Sequence, residues 1–408
     1  MSNEIKSKSK LTLIIDGNWL LMSRMSVLNK KYADTDELCN ALQSMMIKSI
    51  NVVLRQFPII DNIIFVADGG SWRNHIDIPT FLLNNKLSDE AIDSIKALLH
   101  EYSKTHDINI DIDAITADTF TLKDLRKYDI DIDDLPLTQL EYKGNREKSP
   151  DIDWDSIFAS YENFIGILQQ SGINVCKEPG IEGDDWAWYW SSKLNAEGTN
   201  CIIWSRDKDL TQLVRTDANY CFTICWNKEF GVTCEETNDD DMAFFFNPTY
   251  AVNAELFSVV CSKSKEVAAI KPANVVIDKV IRGDAGDNIQ PLVLRKAKSE
   301  SSNKLFKVSE KDIDWNMDIH DDAKVREYFV NLLSSKNYIG RVMVSVNQAI
   351  EHFKYNVRLV ELASTSYPEE ILEKFNEYDS YTCNTNLSEA EYEVNKKVNA
   401  VSSIIDFI

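Results

Sequence analysis

Residues 11–17 read LTLIIDG, and residues 62–70 repeat the pattern as NIIFVADGG. Each is a short apolar run, rich in β-branched side chains, that reaches an aspartate and is cut off by glycine. Apolar runs of this length without polar alternation mark strands buried on both faces of a parallel sheet. The expected strands end at Asp16 and Asp68. Between them, Trp19–Leu28 and Asp36–Gln56 carry apolar residues at helical spacing. Further on, amphipathic Asp155–Gln170 closes at Gly172 and Ile173–Cys176 reads as a short strand. Glu182–Leu194 is helical, with Gly198 past its end, and the strand Cys201–Trp204 is followed by Ser205, Arg206 and Asp207. This alternation predicts an α/β fold with a central, mostly parallel sheet flanked by helices.

In open sheets of this kind, ligands gather outside the carboxyl ends of the strands. Asp16, Asp68 and Asp207 are expected to converge there. Two further acidic motifs join them: IEGDDWAWYW, with Glu182, Asp184 and Asp185, and WSRDKDLTQL, in which Asp209 follows Asp207. A third, IRGDAGDNIQ, carries Asp284 and Asp287. A lone aspartate after a strand is often a helix cap or turn former. A set of carboxylates packed side by side is different, because each raises its neighbours' pKa unless a cation lies among them. Mg²⁺ suits carboxylate and water oxygens. Two such ions about 4 Å apart can activate a water and stabilise both oxygens at a phosphorus under attack. None of the five histidines (75, 100, 106, 320, 352) falls inside these acidic clusters.

The rest of the chain bounds this reading. Residues 77–141 interrupt the alternation with 15 acidic and 6 basic side chains, including helical Ser88–His106 and an Asp/Ile alternation near 130–135. The expected division is an α/β core over 1–215, with an insertion at about 77–150. An irregular insertion or core extension over 216–275 follows, then a helical region over 276–395 and a tail over 396–408. Ala323–Ser334 and Arg341–Phe353 are the clearest late helices. The net charge of −21 is unusual for a nucleic-acid partner, so binding would need cations and a local basic strip. EYKGNREK, with Lys143 and Arg146, is such a strip. No apolar run reaches the length of a membrane span. The eight scattered cysteines fit a reducing cytoplasm, and Cys221, Cys225 and Cys234 lack a fourth ligand at zinc-finger spacing.

The ordered series IIDG, VADG with a following Arg73, YKGNR, EGDD, SRDKDLTQL and GDAGDN resembles the 5′-nuclease superfamily over roughly 11–75, 140–215 and 275–290. The bacteriophage ribonuclease H and 5′–3′ exonuclease branch is the nearer likeness, with flap endonucleases further off. The resemblance implies a PIN-like core, a helical arch and a helix–three-turn–helix-like C-terminal region. It implies a metal-dependent 5′–3′ exonuclease and flap endonuclease that removes RNA primers and flaps in phage DNA replication. Asp16, Asp68, Asp184 and Asp207 would then hold the tighter of two Mg²⁺ ions, for which Mn²⁺ would substitute, with Glu182 as a further ligand or nearby base. Asp185, Asp209, Asp284 and Asp287 would serve the second, many through water. Arg73, Lys143 and Arg146 would bind the scissile or 5′ phosphate. The sequence departs from the family in three ways. Residues 289–297, IQPLVLRKA, lack the glycine-rich hairpin that usually follows GDxxDN, which puts potassium binding there in doubt. The arch region is long and acidic, and no polymerase-like region follows, so a free-standing nuclease is expected.

Trp186 and Trp190 stand at i, i+4 and are expected to pack helix on sheet, whereas Trp19 and Trp72 are candidates for base stacking. The apolar end SSIIDFI, with Ile404, Ile405, Phe407 and Ile408, looks like a short motif that docks into a sliding clamp. The other partners expected are DNA and RNA–DNA duplexes with a 5′ end or flap, and a single-stranded DNA-binding protein. A monomer in the cytoplasm is expected, the host's if phage-encoded. The competing readings are a PIN-type ribonuclease, which would not need GDAGDN, and a catalytically silent scaffold that binds DNA ends or the clamp, which would have lost a ligand.

Overall fold

The structure is a computed structural model. It describes residues 11–56, 60–79, 82, 96–97, 99–100, 103–105, 110–113, 142–144, 146, 149–216, 222–226, 257–260, 267–270, 272–292, 295–296, 305–339, 344–378 and 380–405. The expected Ser88–His106 helix and the Asp/Ile alternation near 130–135 lie largely outside them. The chain divides into two compact units, one formed by Met1–Ser71, Lys148–Val275 and Leu362–Ile408, the other by Trp72–Glu147 and Val276–Glu361. Residues expected as one helical region, 276–395, therefore fall in both.

The first unit is built on strands β1 (Leu11–Asp16), β2 (Asn62–Val66), β3 (Asn174–Cys176), β4 (Asn200–Trp204), β5 (Arg215–Thr216) and β6 (Phe222–Trp226). Their order is β3-β2-β1-β4-β6-β5. All neighbours are parallel except β5, which runs antiparallel to β6 at the edge. β1 and β2 are buried at every position, as their uninterrupted apolar character requires. Part of the 216–275 stretch thus extends the main sheet, and a separate antiparallel pair, β7 (Phe257–Val260) and β8 (Val267–Ile270), also belongs to it.

Side chains alternate between faces along a strand. Leu11, Leu13 and Ile15 of β1 enter one core with α1 (Gly17–Leu28), α2 (Thr35–Gln56), α3 (Trp154–Gln170) and α9 (Ser388–Ile405). Thr12, Ile14 and Asp16 alternate to the other face, which α4 (Gly183–Ala196) covers by packing on β1, β2, β4 and β6. Trp186 and Trp190 of α4 are fully buried, matching the packing role expected for them. Residues 362–381 wrap the outer side of α4 with aromatic rings. Phe375, on α8 (Glu369–Asn376), stacks on Tyr189 at 5.0 Å, and Trp188 lies 4.7 Å from Tyr367. Beyond them the backbone closes the β3 side of the sheet. Thr382 N–H donates to Asn174 Oδ1, whose Nδ2 donates back to Thr382 O, and Ile63 N–H donates to Asn384 O.

The second unit holds most of α5 (Pro272–Arg282), the division falling in its first turn, then a tight turn closed by the Asp284–Ile289 bridge. It continues with the small hairpin β9 (Arg295–Lys296) and β10 (Leu305–Phe306), α6 (Asp322–Ser334) and α7 (Val346–Val360). The helix expected over Arg341–Phe353 starts five residues later and runs further. Ser345 caps it by accepting from Gln348 N–H while Gln348 Oε1 accepts from Ser345 N–H. A reciprocal cap of this kind contributes about 1 kcal/mol and sets the start more sharply than apolar spacing does. Among the described residues, no helix is long and apolar enough to cross a membrane.

Candidate metal centre

Asp16 ends β1 and caps α1. Its Oδ1 accepts from Trp19 N–H at 2.9 Å and its Oδ2 from Ser205 Oγ at 2.6 Å. Gly17 lets α1 begin directly on the sheet, since a Cβ there would lie 2.4 Å from both the Phe65 ring and the Tyr161 hydroxyl. Asp68 stands two residues past β2 rather than at its end. One oxygen accepts from Asn18 Nδ2 at 2.6 Å and the other from Gly183 N–H, the first amide of α4, at 2.7 Å. A carboxylate at a helix N-terminus is favoured by the unpaired amides and the dipole. Gly69 is needed next to it, because a Cβ there would overlap the Glu178 carbonyl at 1.9 Å.

The α4 turn supplies the neighbouring acids. Glu182 precedes the helix, accepts from Ser71 Oγ at 2.8 Å, and forms a capping box with Asp185, whose Oδ2 accepts from Glu182 N–H at 3.1 Å. Asp185 is fully buried and so has a structural hydrogen bond of its own, while Asp184 is half-buried. Asp207 lies three residues beyond β4 and is exposed. Its N–H donates to Ser205 Oγ at 2.9 Å, so a single hydroxyl ties Asp207 to Asp16. Asp209 opens a 3₁₀ turn and donates its N–H to Asp207 Oδ1 at 2.9 Å. The first unit thus brings Asp16, Asp68, the Glu182–Asp185 turn, Asp207 and Asp209 to the carboxyl ends of three adjacent strands.

The electrostatics follow from this crowding. Burial pushes the Asp16 carboxyl up to about 7, the Ser205 hydroxyl and Trp19 N–H pull it down, and the negative charges of Asp68 and Asp207 raise it further. Burial likewise carries the Tyr161 hydroxyl well above its ordinary value, and the charges of Asp16 and Asp68 add to that. Among the described residues, the hydrogen-bond partners of Asp16 are that hydroxyl and that amide, with no basic side chain. An all-oxygen donor set in which one member resists ionisation fits a hard divalent cation. A bound cation would restore the charged form.

The second unit holds the remaining candidates. Burial pushes the Asp284 carboxyl up, but the Lys279 ammonium and the Gly286 N–H outweigh it and leave the group below its usual range. Asp287 is buried and paired with Arg146, Nη2 to Oδ1 at 2.6 Å, and its carbonyl accepts from Lys143 N–H at 2.9 Å. Two residues expected to meet phosphate and metal separately, Arg146 and Asp287, thus bind each other. Lys143 has a left-handed backbone (φ 59°) and its ammonium sits 4.9 Å from the Tyr142 ring. Arg73 is buried with its guanidinium 4.8 Å over Trp72, and its Nε donates to Leu359 O. Trp72 is buried too, which leaves its ring no room for a base. Trp19 is half-buried and meets Trp204 edge-on at 5.6 Å. Ile404 and Ile405 close α9 without described side chains, and Phe407 and Ile408 lie outside the described residues.

Three polar residues central to the site were not anticipated: Asn18, Ser205 and Tyr161. Asn18 and Ser205 are each two residues from a predicted aspartate, and that proximity was the available signal. Tyr161 had none, being one aromatic on an amphipathic helix.

Residues 86–242 match the sequence profile of the 5′-3′ exonuclease N-terminal resolvase-like domain. A 5′-3′ exonuclease of Buchnera aphidicola subsp. Acyrthosiphon pisum is 37% identical over 79 residues, which is 19% of this chain and 26% of the relative. Its counterpart from Buchnera aphidicola subsp. Schizaphis graminum is 33% identical over 79 residues, with the same shares of each chain. The chain therefore spans about a quarter of the length of these curated relatives. A solved structure of a T5 protein co-crystallised with metal ions aligns over 90% of this chain and 97% of its own, at 16% identity and a TM-score of 0.44. The profile match and the Buchnera relatives make this chain similar to 5′-3′ exonucleases over part of its length, and the order of the acidic motifs and the parallel sheet that gathers them agree with that likeness.

Proposed function

We propose that the chain is a metal-dependent 5′–3′ exonuclease and flap endonuclease that hydrolyses phosphodiesters of DNA and RNA–DNA hybrids, with a role in removing primers and flaps during phage replication. One observation carries the reading: Asp16 and Asp207 share the Ser205 hydroxyl, while Asp68 is held at the first amide of the α4 turn that bears Glu182 and Asp184. The Buchnera relatives are 5′-3′ exonucleases by name, which agrees with it.

In this reading Asp16, Asp68, Asp184 and Asp207 hold one of two divalent cations, with Glu182 beside it. In the second unit Asp284 and Asp287 are assigned to the second cation, Asp287 after parting from Arg146, while in the first unit Asp185 supports the site through the α4 cap. Bound Mg²⁺, or Mn²⁺ in its place, would supply a nucleophile at neutral pH and offset charge at the phosphorus. The chain's own part is to orient the carboxylates. Ser205 sets the spacing of Asp16 from Asp207, and the α4 amide fixes Asp68. Arg73, Lys143 and Arg146 are assigned to backbone phosphates, Arg146 by exchanging its carboxylate partner for one. Residues 276–361 are assigned to duplex binding and the arch to about 77–150. The tail is assigned to a sliding clamp, and a single-stranded DNA-binding protein is a further proposed partner of a monomeric cytoplasmic enzyme.

The test is cleavage of 5′-labelled flap, RNA–DNA and single-stranded RNA substrates by the unaltered chain, Asp68→Asn and Asp207→Asn, in Mg²⁺ and in chelator. Cleavage of the first two substrates, lost in chelator and in both variants with flap binding retained, is expected. Cleavage confined to single-stranded RNA would favour a PIN-type ribonuclease. Binding without cleavage in Mg²⁺ would leave a silent scaffold, and full activity in chelator would remove the metal assignment.

A further inference from the structure

Asp68 is gripped from two sides, by Gly183 N–H at one oxygen and by Asn18 Nδ2 at the other. The second grip depends on which way the Asn18 amide faces, and the structure contains what decides it. Asn18 Oδ1 accepts from the Tyr161 hydroxyl at 3.1 Å and from Asp68's own N–H at 3.2 Å. An amide offers an acceptor at one end and donors at the other. Turned over, Asn18 would set its NH₂ against two donors and its carbonyl oxygen against a carboxylate. Two donors at one end and an anion at the other leave one stable orientation. Tyr161 is itself fixed, being buried on α3 with its ring 6.3 Å from Phe65.

We propose that Asn18 is a positioning residue for Asp68 and that Tyr161 acts through Asn18, so that a relay from α3 through α1 sets the carboxylate that receives a divalent cation. The inference rests on reading the carboxylates as a metal centre. The relay leaves the Gly183 grip unchanged and fixes the remaining oxygen, so its loss lets the carboxylate rotate without displacing α4. Partners that orient a metal-binding group typically alter affinity about 10- to 100-fold when removed.

The test is Mn²⁺ binding measured by calorimetry without nucleic acid, alongside melting in chelator. The chains compared are the unaltered protein, Asp68→Asn, Asn18→Ala, Tyr161→Phe and the Asn18→Ala/Tyr161→Phe double variant. Asp68→Asn and Asn18→Ala are each expected to weaken Mn²⁺ binding about tenfold or more. Tyr161→Phe is expected to weaken it severalfold, and the double variant no further than Asn18→Ala alone, because both act by one route. A merely structural role would lower the melting temperature in chelator and leave Mn²⁺ affinity alone. If Asp68→Asn weakens binding while Asn18→Ala and Tyr161→Phe bind normally, or the two losses add in full, the relay is overturned and the metal centre stands. If the unaltered chain binds no Mn²⁺, both fail. Should Asn18→Ala not fold, Tyr161→Phe decides alone: severalfold loss supports the relay and unaltered affinity overturns it.

Discussion

Replacing Asp16 by Asn separates the cost of the site from its use. Its carboxyl titrates near 7 in the cation-free fold against 3.8 for the free group. A folded-state value above the unfolded one means stability is greatest below pH 3.8 and is lost as pH rises to about 7, by about 4 kcal/mol in total at about 1.4 kcal/mol per unit. Asn keeps the acceptor for Trp19 N–H but turns its NH₂ toward Ser205, whose oxygen already accepts from Asp207 N–H. That mismatch costs about 1 kcal/mol. In chelator at pH 8, Asp16→Asn should therefore be more stable than the unaltered chain by about 3 kcal/mol, a rise in Tm of about 3 °C for a protein of this size. At pH 4 the advantage should vanish. In saturating Mg²⁺ the order should reverse, because binding at about 1,000 times Kd adds about 4.1 kcal/mol to the chain that keeps its ligand. The assay is a melt at pH 4, 6 and 8, with chelator or Mg²⁺. A variant that melts lower in chelator at pH 8, or an advantage independent of pH, would refute the argument.

Other consequences are more quickly stated. Burial lowers the His352 imidazole to about 3 from 6.5, so the folded state excludes a proton that the unfolded chain binds. Stability of the second unit should fall from about pH 6.5 downward, by about 2 kcal/mol at pH 5, and His352→Leu should flatten that slope in urea titrations; an unchanged slope would place the acid sensitivity elsewhere. Lys143→Ala with Arg146→Ala should raise KM for a flap substrate and reduce its salt dependence, and an unchanged salt slope would take both off the phosphate path. Deleting residues 403–408 should leave cleavage intact and remove stimulation by a cognate clamp; equal stimulation of the shortened chain would sink the tail assignment.

The strands were legible because burial on both faces leaves no polar position in β1 or β2, and the glycines after Asp16 and Asp68 punctuate them. The site was legible as a set of acids for the same reason. Its inner wiring was not. Asp68 sits two residues beyond its strand, a distance that the apolar run does not encode, whereas the three-residue step from Trp204 to Asp207 was read from the sequence as it stands. Tyr161 meets Asn18 across 143 positions, and Arg146 meets Asp287 across 141, so neither pair has a local signature. The start of α7 was misplaced because apolar spacing at 341–345 continues the helix pattern, whereas the Ser345–Gln348 cap ends it. The late segment that encloses α4 and the β3 side was expected only as part of a helical region over 276–395, since its main contributions are backbone groups and scattered aromatics.

That enclosing segment has a consequence for biosynthesis. Residues 362–405 emerge from the ribosome after every part of the sheet and of the helices they cover. Until then the outer side of α4 and the Ile63 amide stay bare, and the nascent chain would expose aromatic surface and an unfinished acidic pocket. A properly seated α4 is thus expected only after residues 362–381 have been translated.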